Sequence, residues 1–196
     1  MSSRQQSRIT DSGCYVLHTT AWRETSVIAK VFSREHGVLL VVAKGAKRPY
    51  SGLRTVLQSF QPLLLSWSGR GEVKTLTNAE ARGIHLLPSR VLMSCWYMNE
   101  LILKLLPRED AHPRLFDAYE AALRDLVQGE SQASTLRRFE WVLLREIGYG
   151  IDAHAPDFND SSQAESLRIL IRTQLDQYLP NADLMSRKVM LSLRQV

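Results

Sequence analysis

Apolar and polar residues alternate in two different rhythms along this chain. Up to about residue 82 the apolar residues come in short β-branched runs: CYVLHTT at 14–20, SVIAKVFS at 26–33, VLLVVAKG at 38–45, PLLLSW at 62–67 and EVKTLTNAEA at 72–81. Glycine-containing turns separate them, REHG at 34–37 and SGRG at 68–71, and Pro62 heads the fourth run, where a missing N–H is tolerated. Five short strands of this kind predict a small antiparallel barrel or sandwich. The count suits an OB-like barrel and equally admits an SH3-like one.

Beyond residue 88 the rhythm becomes helical. Residues 89–106 are apolar on almost every face, as a buried central helix is, with Ser89 placed to cap it and Pro107 to end it. Residues 113–128 open on Pro113 and stop before Gly129, with Leu115, Phe116, Tyr119, Leu123, Leu126 and Val127 on one side. Residues 134–147 align Leu136, Phe139, Leu143 and Ile147 ahead of Gly148. After a polar linker, Ser162 and Glu165 have capping-box spacing for a helix carrying Leu167, Ile171, Leu175 and Leu179, and a short helix over 183–194 closes the chain. The expected organisation is α+β in two domains: residues 1–82 form the barrel and residues 83–196 an all-α domain, with the boundary at ARGIHLL before Pro88.

The 44% hydrophobic and 23% charged fractions over 196 residues suit a soluble globular protein and argue against a disordered one. No apolar run approaches the roughly 18 residues of a membrane span. The segment MSSRQQSRITDSG lacks the apolar centre of a secretory signal, so a cytoplasmic location is expected. Cys14 and Cys95 read as buried thiols rather than a disulfide, and no CxxC pair suggests zinc.

Charge changes the picture once it is divided. The net +5 hides twelve basic and five acidic residues before position 83, against 13 basic and 15 acidic after it. Such asymmetry points to a polyanion-binding module joined to something else, although basic side chains also simply solvate a small β domain. The segment AKGAKRPYSGLR, residues 43–54, holds Lys44, Lys47, Arg48 and Arg54 without one acid, and adds Tyr50. A phosphate backbone would relieve the repulsion among these cations.

Catalytic signals are weak. The five histidines form no HxH or HxxxH pair, and GRGEVKT at 69–75 lacks the spacing that wraps a phosphate. No GxSxG elbow is present, and the acids of EDAH and DFND read as solvated loops or caps. No catalytic residue, metal site or cofactor is expected.

Three blocks in order resemble the bacterial recombination-mediator family RecO. Residues 21–81 follow its ETS, FTxExG, AKGAR and GRGEVKTL pattern; YMNELILKLLPREDAHPRLFDAYEAAL is similar to a YxNELL…LF segment; LRRFEWVLLREIGYG is similar to LRRFELxLLxxLGYG. The closing LDQYLPNADLMSRKVM is a weaker likeness, and the similarity is nearest to the proteobacterial form. The resemblance implies an N-terminal OB-fold and a helical domain. It implies a non-enzymatic mediator that binds single- and double-stranded DNA and anneals complementary strands. Such a mediator assists RecA loading onto single strands coated with single-stranded-DNA-binding protein (SSB), working with RecR, and is nucleoid-associated when DNA-bound. Family members usually carry a longer segment after the GYG motif, in some with a four-cysteine zinc site. Here only a short cysteine-free linker follows Gly150, so zinc is expected to be absent.

Read this way, Arg34, Lys44, Lys47, Arg48, Arg54, Arg70 and Lys74 are the expected DNA contacts, with Tyr50 either stacking a base or packing on its own barrel. Trp22 and Trp67 read as core or barrel-rim residues. Arg137, Arg138 and Phe139 are the expected site for the acidic, hydrophobic SSB tail, Arg137 matching a family position associated with it; the alternative is that the arginines pair with Glu140 or Glu146. Two other classes stay open on the residues alone: an RNA-binding OB protein, and an interaction scaffold whose basic face is incidental.

Overall fold

The structure, a computed structural model, describes residues 8–148, 154–179, 184–186 and 189. The closing helix expected over 183–194 falls mostly outside them. Two compact units are distinguished: one runs to His85 and adds Pro107–Pro113, the other takes Leu86–Leu106 and everything from Arg114.

Five strands build the first unit: β1 (Arg8–Trp22), β2 (Ser26–Ser33), β3 (Gly37–Ala43), β4 (Leu63–Ser68) and β5 (Val73–Ala81). They close into a barrel in the order β1-β2-β3-β5-β4. The long β1 serves twice. Its first half pairs with β4, from Arg8↔Ser68 to Cys14↔Leu63, and its second half with β2, from Cys14↔Ser33 to Trp22↔Ser26. A short helix α1 (Gly52–Val56) lies between β3 and β4. This is the OB-like arrangement rather than the SH3-like one. One pairing departs from the expected antiparallel pattern: β5 runs parallel to β3, with Leu40↔Val73, Val41↔Lys74 and Val42↔Thr75. The chain reaches β5 by turning back from β4, and closing the barrel then sets β5 alongside β3 in the same direction.

Alternation decides which side chains go inside. Val16, Ala29, Val31, Leu39, Val41, Leu63, Leu65 and Trp67 fill the interior. Each of these valines and leucines contributes roughly 1.5–3 kcal/mol on burial. The polar first half of β1 is held differently. Asp11 donates its N–H to Ser66 Oγ at 3.0 Å, and Ser12 Oγ lies 3.0 Å from Ser33 Oγ and donates to Glu35 at 2.8 Å.

Residues 107–113 pack on this barrel. Arg108 bridges to Val38, and Glu109 donates its N–H to the Val38 carbonyl at 2.9 Å. Gly37 sits under the segment at φ +66°, and a Cβ there would lie 1.9 Å from the Asp110 carbonyl oxygen. Two ion pairs add to the seam, Arg108 with Glu72 and Lys74 with Glu109.

The helical unit contains α2 (Leu92–Leu105), entered through a 3-10 turn at Ser89–Val91, then α3 (Pro113–Gln128), α4 (Gln132–Glu146) and α5 (Ala164–Tyr178). Tyr119 meets Phe139 edge to face at 6.2 Å and donates its hydroxyl to Asn99 at 2.6 Å. Two expected caps are not formed. Ser89 enters the 3-10 turn, and no side chain caps α2. Ser162 turns instead to Asp160 and Glu165 pairs with Arg168, so α5 opens without a capping box. Ser131 does cap α4, accepting from the Ser134 N–H at 3.4 Å.

Candidate nucleic-acid interface

The turn after β1 and the loop after β3 meet at one end of the barrel. Lys47 donates its N–H to the Thr25 carbonyl at 2.9 Å, which ties the two loops together. Gly45, at φ +73°, lets the chain reverse, and Arg48 donates its N–H to the Gly45 carbonyl at 3.0 Å. The Arg48 side chain lies across that glycine, its Cδ 3.5 Å from where a Cβ would stand. Between the loops is a cleft of about 800 Å³ bordered by Trp22, Arg23, Glu24, Val42, Lys44 and Arg48.

Lys44, Lys47, Arg48 and Arg54 are all exposed. None of the four has an ion-pair partner among the described residues. Four cations within eleven positions therefore face water together, and their mutual repulsion is unrelieved until an anion arrives. Tyr50 is fully exposed, at φ +65°, and so does not pack on its own barrel.

The strand register extends this surface. His18, Thr20 and Trp22 pair with Lys30, Ile28 and Ser26, while Ile28 and Lys30 pair with Val42 and Leu40. Partners in a ladder share a face, and the alternate residues Ala29, Val31, Val41 and Ala43 are buried inside. The outer face of β1, β2 and β3 thus carries Lys30 and runs from the cleft toward Leu40, opposite Val73.

The remaining expected contacts are dispersed. Arg34 is exposed in the β2–β3 turn, its N–H on the Gly13 carbonyl at 3.1 Å, at the other end of β2 from the cleft and about 23 Å of strand away. Arg70 is exposed in the β4–β5 turn. Lys74 does not belong with them. It pairs with Val41 on the inward side of the ladder and is 8% exposed. Its ammonium donates to Glu109 at 2.8 and 3.0 Å and to the Gly71 carbonyl at 2.8 Å, which leaves no donor for a phosphate.

In the helical unit the three expected residues do not form an open strip. Phe139 is 1% exposed and packs in the core. Arg137 pairs with Glu140, itself 1% exposed and accepting from the Tyr97 hydroxyl at 2.6 Å. Arg138 pairs with Asp125 at 2.9 Å, its guanidinium 6.0 Å from the Phe158 ring centroid. The same helix face that buries Phe139 also buries Glu140, an acid that the sequence pattern places among surface charges.

Sequence reasoning set aside Trp22 and did not select Arg23 or Lys30. Trp22 is 46% exposed on the rim, with the Arg23 guanidinium 5.9 Å from its ring centroid, whereas Trp67 is buried and meets His36 edge to face at 5.2 Å. Strict alternation from Ala29 and Val31 would have put Lys30 outward. Cys14 and Cys95 are free and buried, and burial pushes both thiols up to about 12. Among the described residues no cluster of three His, Cys, Asp or Glu side chains offers a metal site, and no helix is long and apolar enough to cross a membrane.

Residues 8–85 match the family model for the recombination protein O N terminal, and residues 90–156 the one for the recombination protein O C terminal. The chain belongs to the RecO family. The RecO N-terminal match takes in all five strands, and the C-terminal match takes in α2, α3 and α4. Among curated relatives, the DNA repair protein RecO of Aromatoleum aromaticum is 57% identical over 148 residues, 75% of this chain and 62% of that protein. Its counterpart in an Azoarcus species is 54% identical over 146 residues, 74% of this chain and 60% of the relative. That of Ralstonia nicotianae is 54% identical over 149 residues, 76% and 55%. The chain spans about three fifths of the length of the RecO relatives it matches.

Proposed function

We propose that this chain is a DNA repair and recombination mediator that acts by binding, without catalysis. It holds single- and double-stranded DNA on the barrel, anneals complementary strands and, with RecR, assists RecA loading onto SSB-coated single strands in the cytoplasm. The observation that carries this reading is the group of exposed cations Lys44, Lys47, Arg48 and Arg54, unpaired among the described residues, beside a cleft of a RecO-family barrel. Annealing requires two polyanions to approach, and backbone-directed cations lower that repulsion without reading sequence. Arg34 and Arg70 supply further contacts outside the cluster, and Lys74 is left out because it is buried on Glu109. Labour divides along the chain: phosphate contacts before about residue 82, protein contacts such as the SSB tail in residues 83–196. In that second part Arg137 and Arg138 remain the tail contacts, and Phe139 is withdrawn as a core residue.

The test is fluorescence anisotropy on labelled single strands with Lys44, Lys47 and Arg48 all changed to Glu. Binding should be lost while circular dichroism stays unchanged, since none of the three is buried. Unaltered affinity at low salt would sink the assignment. An excess of RNA that competes as well as DNA would move the reading to an RNA-binding protein.

A further inference from the structure

We infer that the cleft between the β1–β2 turn and the β3–α1 loop takes one unpaired base, stacked on Trp22, with Lys44 and Arg48 on the adjoining phosphate. The cleft is then what separates a single strand from a duplex on this barrel. The inference deepens the DNA-binding reading and rests on it.

The cleft is amphipathic in the way a nucleotide is. Trp22 ends β1 and is 46% exposed, and its ladder partner on β2 is the small Ser26. Val42 adds a second apolar surface from β3. The cations Lys44 and Arg48 stand at the same cleft, and the Arg48 side chain lies across Gly45 while staying exposed. A surface meant for phosphate alone has no use for an exposed indole. Glu24 sharpens the division: its carboxylate repels phosphate and accepts hydrogen bonds from the amino groups of a base. The Arg23 guanidinium already occupies the neighbourhood of the ring, 5.9 Å from its centroid, an arrangement that a stacking partner tolerates or replaces.

Size points the same way. About 800 Å³ lies within the ~300–1,000 Å³ of clefts that bury small ligands, and a duplex is far too wide to enter. Bases inside a duplex are already stacked and cannot reach Trp22 without unpairing. Duplex contacts are left to Lys47 and Arg54, which stand outside the cleft lining.

Binding of the full chain is measured by anisotropy on three labelled probes of equal length: an oligothymidine, the same backbone with abasic sites, and a duplex. The abasic strand keeps its charge and loses its bases. The wild type should bind oligothymidine at least about 5-fold more tightly than the abasic strand, since a stacked base is worth roughly 5- to 150-fold. Trp22→Ala should erase that difference and leave duplex affinity within about 2-fold, while Trp22→Phe restores most of it. Equal wild-type affinity for the thymidine and abasic strands overturns the stack and leaves the DNA reading standing. Failure to bind any probe overturns the DNA reading itself. The wild-type comparison depends on no variant folding.

Discussion

Glu140 sets the terms for everything its helix face can do. It is buried, accepts from Tyr97 and pairs with Arg137, so the guanidinium of Arg137 serves the interior before it serves a ligand. Arg137→Ala should therefore cost about 3 kcal/mol, seen as a lower urea midpoint, with part of the loss recovered by adding Glu140→Gln. A loss of SSB-tail binding in that variant is interpretable only beside its stability. Arg138, paired at the surface with Asp125, is the cleaner probe: Arg138→Ala should weaken tail-peptide binding with less than about 1 kcal/mol of destabilisation. Glu100 gives a pH-dependent case. Burial works against its charge, but the Ser186 hydroxyl and N–H and the Met185 N–H outweigh that, and its carboxyl is held below the ordinary range. A lowered folded value stabilises above the unfolded value and is lost as pH falls through the folded one. Wild type should thus melt higher than Glu100→Gln at neutral pH, and the gap should close on acidification. Side-chain identity made the loop cations legible from sequence. It could not reveal that Lys74 points inward, because that depends on a register with Val41 set by a crossover strand.

At the level of elements, inward and outward positions were legible wherever one face meets a core. The apolar stripes of α3 and α4 agree with the burial found in each, whereas β2 and β3 read only as apolar runs without a marked face, and β2 closes and β3 opens on three consecutive buried residues. The first half of β1 was not legible, because Asp11 at φ +51° and a register shift between Ile9 and Ser12 break the alternation there. α1 was missed for a related reason: in five residues it buries none completely. The cap at Ser162 failed because Asp160 competes for the same hydroxyl, and the one at Ser89 because that residue enters the 3-10 turn ahead of α2. Residues 107–113 carry no periodic signal at all, and their place on the barrel is read from Gly37 instead. Gly37→Ala combines a left-handed backbone with a Cβ 1.9 Å from a backbone oxygen that no rotamer change can move. It should destabilise the barrel by about 2 kcal/mol or more, with Gly129→Ala, which meets only the end of the Arg90 side chain at 3.7 Å, the milder control.

Across the whole molecule the charge division becomes a statement about assembly with nucleic acid. On the proposed function, three phosphate contacts from Lys44, Lys47 and Arg48 would contribute about 2 to the slope of log affinity against log salt on single strands. Replacing the three by Gln should reduce the measured slope by that amount and slow nucleotide-free annealing of complementary strands. An unchanged slope would place the contacts elsewhere. The seam at residues 107–113 has a bearing on how the chain is made and cut. All five strands have been synthesised once Ala81 is complete, yet Glu109, which neutralises the buried Lys74, is translated only after the whole of α2. A fragment ending at His85 would contain every strand and still be chemically incomplete, with an ammonium facing inward and no carboxylate to meet it. The nascent barrel passes through the same state, so its final tightening belongs to a later moment of synthesis than its strands do.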